Sequence, residues 1–446
     1  MEPSAPMRRL ATLLLGLLWS TPLLAAPAED FGSEPEALRI QVVTFGPGPH
    51  VQERFGHIAL RVEDTRLGTE VLYSYGVTSY GPASGVRYLL ERPTYWAARL
   101  SVEHSFFLYR ARGRSILLQE LDLPVEQRRR LLARLERDVN PATREYAYDP
   151  LRGNCATRLR DALDEALGGA LRAQLAGPAS LTYREHLRRY TREVPLFQWA
   201  LMLWTSNTVD APMTRWEEAA FPVELAQALA EGLFTDEHGV SKPLVKSSRN
   251  EHLTTTRPLP LAPGPSSLTR GLFALFAVGT LLLLAVPRAA THRRAFRIAF
   301  GLHHALVGAT LGSAGAIGFV LMLGSVHPYF GRNENQWLAH PLSLALLPLG
   351  LGIAFGNERS ERWARHSVGV LALGSLLAVV LKLSPSFQQD TREPMSVLLV
   401  ANLGLALVHL KRWWATALTL PRGASPRPEP RLPADSTRAA SLRSPR

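Results

Sequence analysis

Two residues stand out for their chemistry: Cys155, the only cysteine among 446 residues, and His57, which lies 98 positions earlier (155 − 57). Cys155 follows Arg152-Gly153-Asn154, and asparagine is a good helix N-cap. Behind it Leu159, Leu163, Ala166 and Leu167 recur at helical spacing, with Arg158, Arg160, Asp161, Asp164 and Glu165 on the opposite face. The thiol therefore belongs to the first turn of an amphipathic helix. There the positive end of the helix dipole and free backbone N–H groups favour a thiolate, the form that attacks carbonyl carbon. The competing reading is a small buried filler, the commonest role of a free cysteine.

A cysteine nucleophile needs a base. The run Phe55 to Val62 alternates with period two, placing Ile58, Leu60 and Val62 on one face of a strand and His57, Ala59 and Arg61 on the other. His57 opens that strand behind Gly56. His104 and His186 lack this setting. A thiolate at a helix start facing an imidazole on a strand is the papain arrangement, and histidine before cysteine in the chain implies a circularly permuted version of it.

These residues need a scaffold. Residues 39–45 and 71–75 read as further strands, 105–109 with 115–121 as a hairpin around Gly113, and 124–139 as a helix opened by Pro124. Helical stretches follow near 183–192, 195–204 and 222–233. The expected organisation is a signal peptide at 1–28, with Arg8 and Arg9 before an apolar run and Ala25-Ala26-Pro27-Ala28 at its end. After it come an α+β extracytoplasmic domain at 29–250, a proline-rich linker at 251–267, an all-α domain at 268–414 and a Pro/Arg/Ser-rich tail at 415–446.

The all-α domain holds five apolar runs, 268–286, 298–323, 338–355, 367–383 and 395–410, each near the length that crosses a bilayer. Arg288, Arg293, Arg294 and Arg297 fall in one intervening loop and Arg359, Arg362 and Arg365 in another. The tail from Lys411 carries eight Lys or Arg against two acids, while the two remaining loops carry one Arg each. Positive charge thus alternates to one side, which is cytoplasmic, and five spans leave the N-terminal domain outside. The net charge of +12 invites a nucleic-acid reading. Residues 29–250, however, hold 28 basic and 29 acidic side chains, a net of −1. The excess belongs to membrane topology, and nucleic acid is excluded as a partner. No metal-ligand spacing is present, and no cofactor is expected.

The stretches F-G-H-I-A-L-R-V (55–62), Y-S-Y-G (73–76), Y-A-Y-D-P-L-R-G-N-C-A-T-R-L-R-D (146–161) and T-Y-R-E-H-L (182–187) resemble the lipoprotein N-acyltransferase Lnb family. The stretch around Trp216, Glu217 and Glu218 and the membrane-part residues His327-Pro328, Asn333, Asn335, Trp337 and Pro341 extend the likeness. Where that family commonly has asparagine, this chain has Ser74. The resemblance implies a bacterial cytoplasmic-membrane enzyme with Cys155 as nucleophile and His57 as base. Ser74, Tyr75, Asn154, Arg158, His327, Asn333 and Asn335 would orient the pair or bind substrate. Membrane lipids and a diacylated lipoprotein would be the substrates, with a thioester as the intermediate. Two other functions share these residues: an extracytoplasmic cysteine hydrolase of the cell wall, and a non-catalytic membrane-anchored binding module.

Overall fold

The computed structural model describes residues 34–419 apart from 80, 82, 236–238 and 255–264. The expected signal peptide, most of the proline-rich linker and nearly all of the tail lie outside the described residues.

Strands alternating in hydrophobicity build an antiparallel seven-stranded sheet. Its members are β1 (Leu38–Phe45), β2 (His57–Asp64), β3 (Thr69–Val77), β4 (Thr94–Leu100), β5 (Ile116–Leu121), β6 (Glu145–Ala147) and β9 (Val245–His252), in the order β6-β4-β3-β2-β1-β5-β9. A small hairpin, β7 (Leu233–Thr235) and β8 (Ser241–Pro243), stands apart. β2 is central, pairing Phe45 with His57 on one side and Leu60 with Tyr73 on the other. The period-two pattern divides its side chains as expected. Ile58, Leu60 and Val62 pack with Leu159, Ala162 and Leu163, while Ala59 joins Val43, Phe45 and Phe106 on the reverse face.

Helices cover both faces: α1 (Ser84–Leu90), α2 (Val102–Ala111), α3 (Val125–Val139), α4 (Cys155–Ala166), α5 (Ala170–Gln174), α6 (Tyr183–Thr191), α7 (Pro195–Trp204), α8 (Arg215–Glu218) and α9 (Pro222–Glu231). The domain is α+β, with α3 and α4 on the Ile58 face. One element departs from the sequence reading, because the strand expected at 105–109 is helix α2. Ser101 Oγ accepts from His104 N at 3.2 Å, capping the helix. Val102 and Phe106, four apart, are both buried, which is helical spacing. Gly113, at φ +64°, then turns the chain into β5.

The C-terminal region is helical: α10 (Ser267–Ala285), α11 (Arg294–Val307), continued through a π-helical turn at Gly308–Gly312 into α12 (Ser313–Gly324), then α13 (Leu346–Phe355), α14 (Glu358–Leu381) and α15 (Arg392–Thr419). Four stretches, Ser267–Ala285, Arg294–Gly324, Glu358–Leu381 and Arg392–Trp414, are long and apolar enough to cross a membrane. The run 338–355 is not a straight helix. The 3-10 turns at Glu334–Trp337 and Pro341–Ala345 precede the ten-residue α13, and Pro328–Trp337 and Pro341–Phe355 bend by 60°. Pro341 lacks the N–H that would continue a preceding helix, so a new turn starts there.

The two regions are not joined by a tether alone. Trp199 and Leu203 of α7 are buried among Phe276, Ala314 and Leu338 of the apolar helices, and Trp204 Nε1 donates to Ala314 O at 2.9 Å. Arg188 of α6 pairs with Glu393 at 2.8 Å and Asp390 at 3.1 Å, with most of the Arg188 and Glu393 side chains out of water.

Candidate functional site

Cys155 is the first residue of α4, as its sequence setting predicts. Asn154 caps that helix: its Oδ1 accepts from Thr157 N at 3.0 Å, and Thr157 Oγ1 accepts in return from Asn154 N at 2.8 Å. Asn154 Nδ2 donates to Pro150 O at 2.7 Å and Ala220 O at 2.9 Å, so its amide is used in fixing the loop. Substrate binding by Asn154 has no free polar atom to rest on.

The helix start puts the thiol at the mouth of β2. Backbone N–H groups of Ile58, Ala156 and Cys155 lower the thiol pKa, each by less than burial raises it. Cys155 packs against the core on the Ile58 face of β2, while the His57 ring, one residue earlier, lies on the Phe45 face. The imidazole leans on Phe45, with ring centres 6.0 Å apart, and on Tyr109 at 6.2 Å. His57 Nε2 lies 3.0 Å from Ser74 Oγ, which also accepts from Gly76 N at 3.4 Å. Two glycines make room. Gly56 adopts φ +78°, a conformation that favours glycine, and a Cβ on Gly76 would lie 2.6 Å from the His57 ring. Among the described residues no hydrogen bond joins His57 to Cys155.

The electrostatics differ from those of a bare helix terminus. Burial pushes the Cys155 thiol up to about 11, more than the three N–H groups and the nearby Arg114 guanidinium recover. Burial, with Arg114 adding repulsion, lowers His57 to about 3. Both shifts favour the neutral forms, thiol and imidazole. Desolvation is the largest influence on the thiol.

Several neighbours had no signal in the sequence. Tyr109 stacks on Phe45 at 3.7 Å and sits under the Arg114 guanidinium at 4.6 Å. Arg114 is itself buried, donating to Gly46 O at 2.8 Å and Phe45 O at 3.4 Å. Tyr109, Tyr146 and Tyr148 all lie close enough to feel a charge on Cys155. Tyr109 comes from the stretch misread as a strand, which is why its direction was not legible.

The remaining predicted residues divide. Ser74 reaches the imidazole. Tyr75 does not, because its hydroxyl donates to Asp138 of α3 at 2.8 Å on the other face. Arg158 lies over the Tyr146 ring at 4.5 Å, beside the site. His327 docks the membrane part onto the exported domain: Nε2 donates towards Glu91 O at 2.9 Å and Tyr88 O at 3.1 Å, and Nδ1 is 3.8 Å from Asp149 Oδ2. Tyr329 donates to Asp149 Oδ1, which also accepts from Leu151 N and Arg152 N at 3.0 Å each. These bonds hold Asp149 well below the usual carboxylate range despite partial burial. Asn333 and Asn335 do not face a substrate space. Their amides donate to the carbonyls of Met202, Leu203 and Trp204 at 2.8–3.1 Å, tying off the end of α7.

The fold defines a membrane protein with an extracytoplasmic α+β domain packed on several apolar helices. Residues 32–189 match the model of the Lnb N-terminal periplasmic domain. The match falls on the N-terminal domain and agrees with the resemblance that the motifs suggested. No curated protein and no solved structure matches the chain.

Proposed function

We propose that the protein is a membrane-anchored cysteine acyltransferase that acts on lipid esters and N-acylates lipoproteins through a thioester on Cys155. The observation that carries this reading is the lone thiol in the first turn of an Asn-capped α4, packed on the strand that His57 opens, in a domain docked on apolar helices. A His-strand central to an antiparallel sheet with the Cys-helix packed against it supports a permuted papain-like scaffold.

Ser74 orients the base. With Nε2–H donating to Ser74 Oγ, Nδ1 is left as the proton acceptor. Cys155 Sγ attacks the carbonyl carbon of the sn-2 ester of a diacylglyceryl-modified N-terminal cysteine as its proton passes to His57. The C–O bond breaks, and His57 returns the proton to the departing alkoxide, leaving a thioester and a free glyceryl hydroxyl. The α-amine of the same class of substrate then attacks the thioester, loses a proton through His57 and expels Cys155 as a thiol. A neutral resting pair suits this sequence because proton transfer coincides with attack. The aromatic rings of Tyr109, Tyr146 and Tyr148 suit an acyl chain and keep water from competing with the amine.

The run 338–355 completes five spans in this reading. Asn335 fixes its beginning to the exported domain, and Arg297 lies over Gly356 at its end, close in sequence to the basic loop at 288–297. The tail is then cytoplasmic. The deciding experiment incubates purified protein with a diacylated lipopeptide and examines Cys155 by mass spectrometry. An acyl adduct on Cys155 and an N-acylated lyso-lipopeptide are expected. Hydrolysis to free fatty acid with no N-acylation would replace transfer by hydrolysis.

A further inference from the structure

A cavity of about 490 Å³ opens beside the loop that carries Cys155, and the thiol does not line it. Its walls include Arg152, Arg160 and Arg172, with Trp216, Tyr183 and Glu217. The Arg160 guanidinium lies 3.8 Å from the centre of the Trp216 ring and that of Arg172 lies 4.8 Å away. Arg160 is neutralised by Asp161 at 2.7 Å and bonded to Trp216 O. Arg152 and Arg172 are different. Among the described residues neither guanidinium has a hydrogen bond or a carboxylate partner; only their backbone N–H groups are bonded, to Asp149 and Asp164. Glu217 spends Oε2 on the Thr214 N–H and hydroxyl, as part of the α8 cap. The cavity thus holds two guanidiniums without hydrogen bonds or carboxylate partners, that of Arg172 resting only on the Trp216 ring, and one half-spent carboxylate.

Its position narrows the ligand. Leu151 and Tyr183, both in the cavity wall, pack in one apolar cluster with Tyr329 from the loop between the apolar helices. The cavity therefore lies at the seam where the exported domain meets the outer ends of those helices. Lipid headgroups occupy a layer there that is roughly 5–8 Å deep on each side of the hydrocarbon core. Planar guanidinium groups match phosphate oxygens in pairs, and one phosphodiester satisfies two of them.

We propose that this cavity is a phosphate site that takes the phosphodiester headgroup of an outer-leaflet phospholipid through Arg152 and Arg172. It lies outside the thiol site and does not depend on acyl transfer; Cys155→Ala protein binds as well as the parent. The occupied site also fixes the seam, since Arg152 belongs to the loop that carries Cys155.

The test uses full-length Cys155→Ala protein in detergent, read by native mass spectrometry. Phosphatidylglycerol is compared with diacylglycerol of the same chains, with inorganic phosphate and with an acidic peptide. A retained phosphatidylglycerol adduct, absent for diacylglycerol, is expected. Arg152→Ala/Arg172→Ala should weaken it at least tenfold with an unchanged unfolding midpoint, since both side chains are exposed. Equal retention of phosphatidylglycerol and diacylglycerol, or full binding by the double variant, overturns the proposal. Inorganic phosphate binding as tightly as the lipid would make the ligand free phosphate and overturn the lipid assignment. Arginine-dependent binding of the peptide without the lipid would do the same.

Discussion

Because Cys155 is the only cysteine, alkylation of the whole protein reports on one atom. With the thiol pushed up to about 11, roughly 0.03% is thiolate at pH 7.5, against about 9% for an ordinary thiol near 8.5. That is about a 300-fold deficit. A more basic thiolate is intrinsically more nucleophilic, which returns about 10- to 20-fold at a Brønsted slope of 0.4–0.5. The expected net effect is iodoacetamide reaction on the order of 20-fold slower than for a free cysteine at pH 7.5. Burial slows access as well, so the slope is the safer readout: the rate should rise close to tenfold per pH unit from 6 to 10. In the His57→Ala variant the rate should stay within about threefold, because a neutral imidazole lends the thiol no charge. A rate that is already flat between pH 5 and 8, and that collapses in His57→Ala, would refute the neutral pair and restore an ion pair.

Other outcomes follow from the same geometry. Cys155→Ala should abolish lipoprotein N-acylation at unchanged protein abundance, read by mass spectrometry of a cellular lipoprotein; retained acylation would leave a binding module. His57 is held at about 3 when folded and titrates near 6.5 when unfolded, so its contribution is present above 6.5 and lost as pH falls towards 3. Between pH 7 and 5 it costs about 2 kcal/mol, and thermal inactivation of His57→Gln should show that much less acid sensitivity. Tyr329→Phe removes a donor from a buried carboxylate and should destabilise the seam by about 1.5–3 kcal/mol, lowering kcat more than it raises KM. Asn333→Ala/Asn335→Ala should reduce abundance as well as activity, because buried carbonyls at the end of α7 lose their donors, each costing about 1–3 kcal/mol; full abundance would contradict that placement.

Much of this architecture was legible in the chain because the signals are local. The alternation at 57–62 and the Asn-cap before Cys155 each depend on a few neighbouring residues, and the structure keeps both. The charge state of the pair was not legible. It depends on how deeply β2 and α4 bury each other and on Arg114, which reaches the site across the sheet. Tyr109 was lost for another reason, since Ser105-Phe106-Phe107-Leu108-Tyr109 is rich in strand-favouring aromatics while the deciding N-cap, Ser101, lies just outside it. The roles of Asn333 and Asn335 were misassigned because their partners, carbonyls at 202–204, are about 130 residues away. The broken run 338–355 kept its apolar composition but lost its continuity at Pro341, a reminder that hydropathy measures burial and not backbone geometry.

The insertion of α7 among the apolar helices has a practical consequence. Trp199 and Leu203 belong to the extracytoplasmic domain by position in the chain, yet they complete the interior of the bundle. Cut away at the proline-rich stretch, the N-terminal half would present these side chains, together with an uncompensated Arg188, to water. A secreted fragment made this way should self-associate and precipitate unless α7 is redesigned with a polar outer face. For the intact protein the same helix sets the height of Cys155 above the bilayer as a fixed dimension. If the proposed acyl transfer is right, the ester must rise or tilt to meet the thiol, and only lipids whose reactive bond lies at that depth are within its reach.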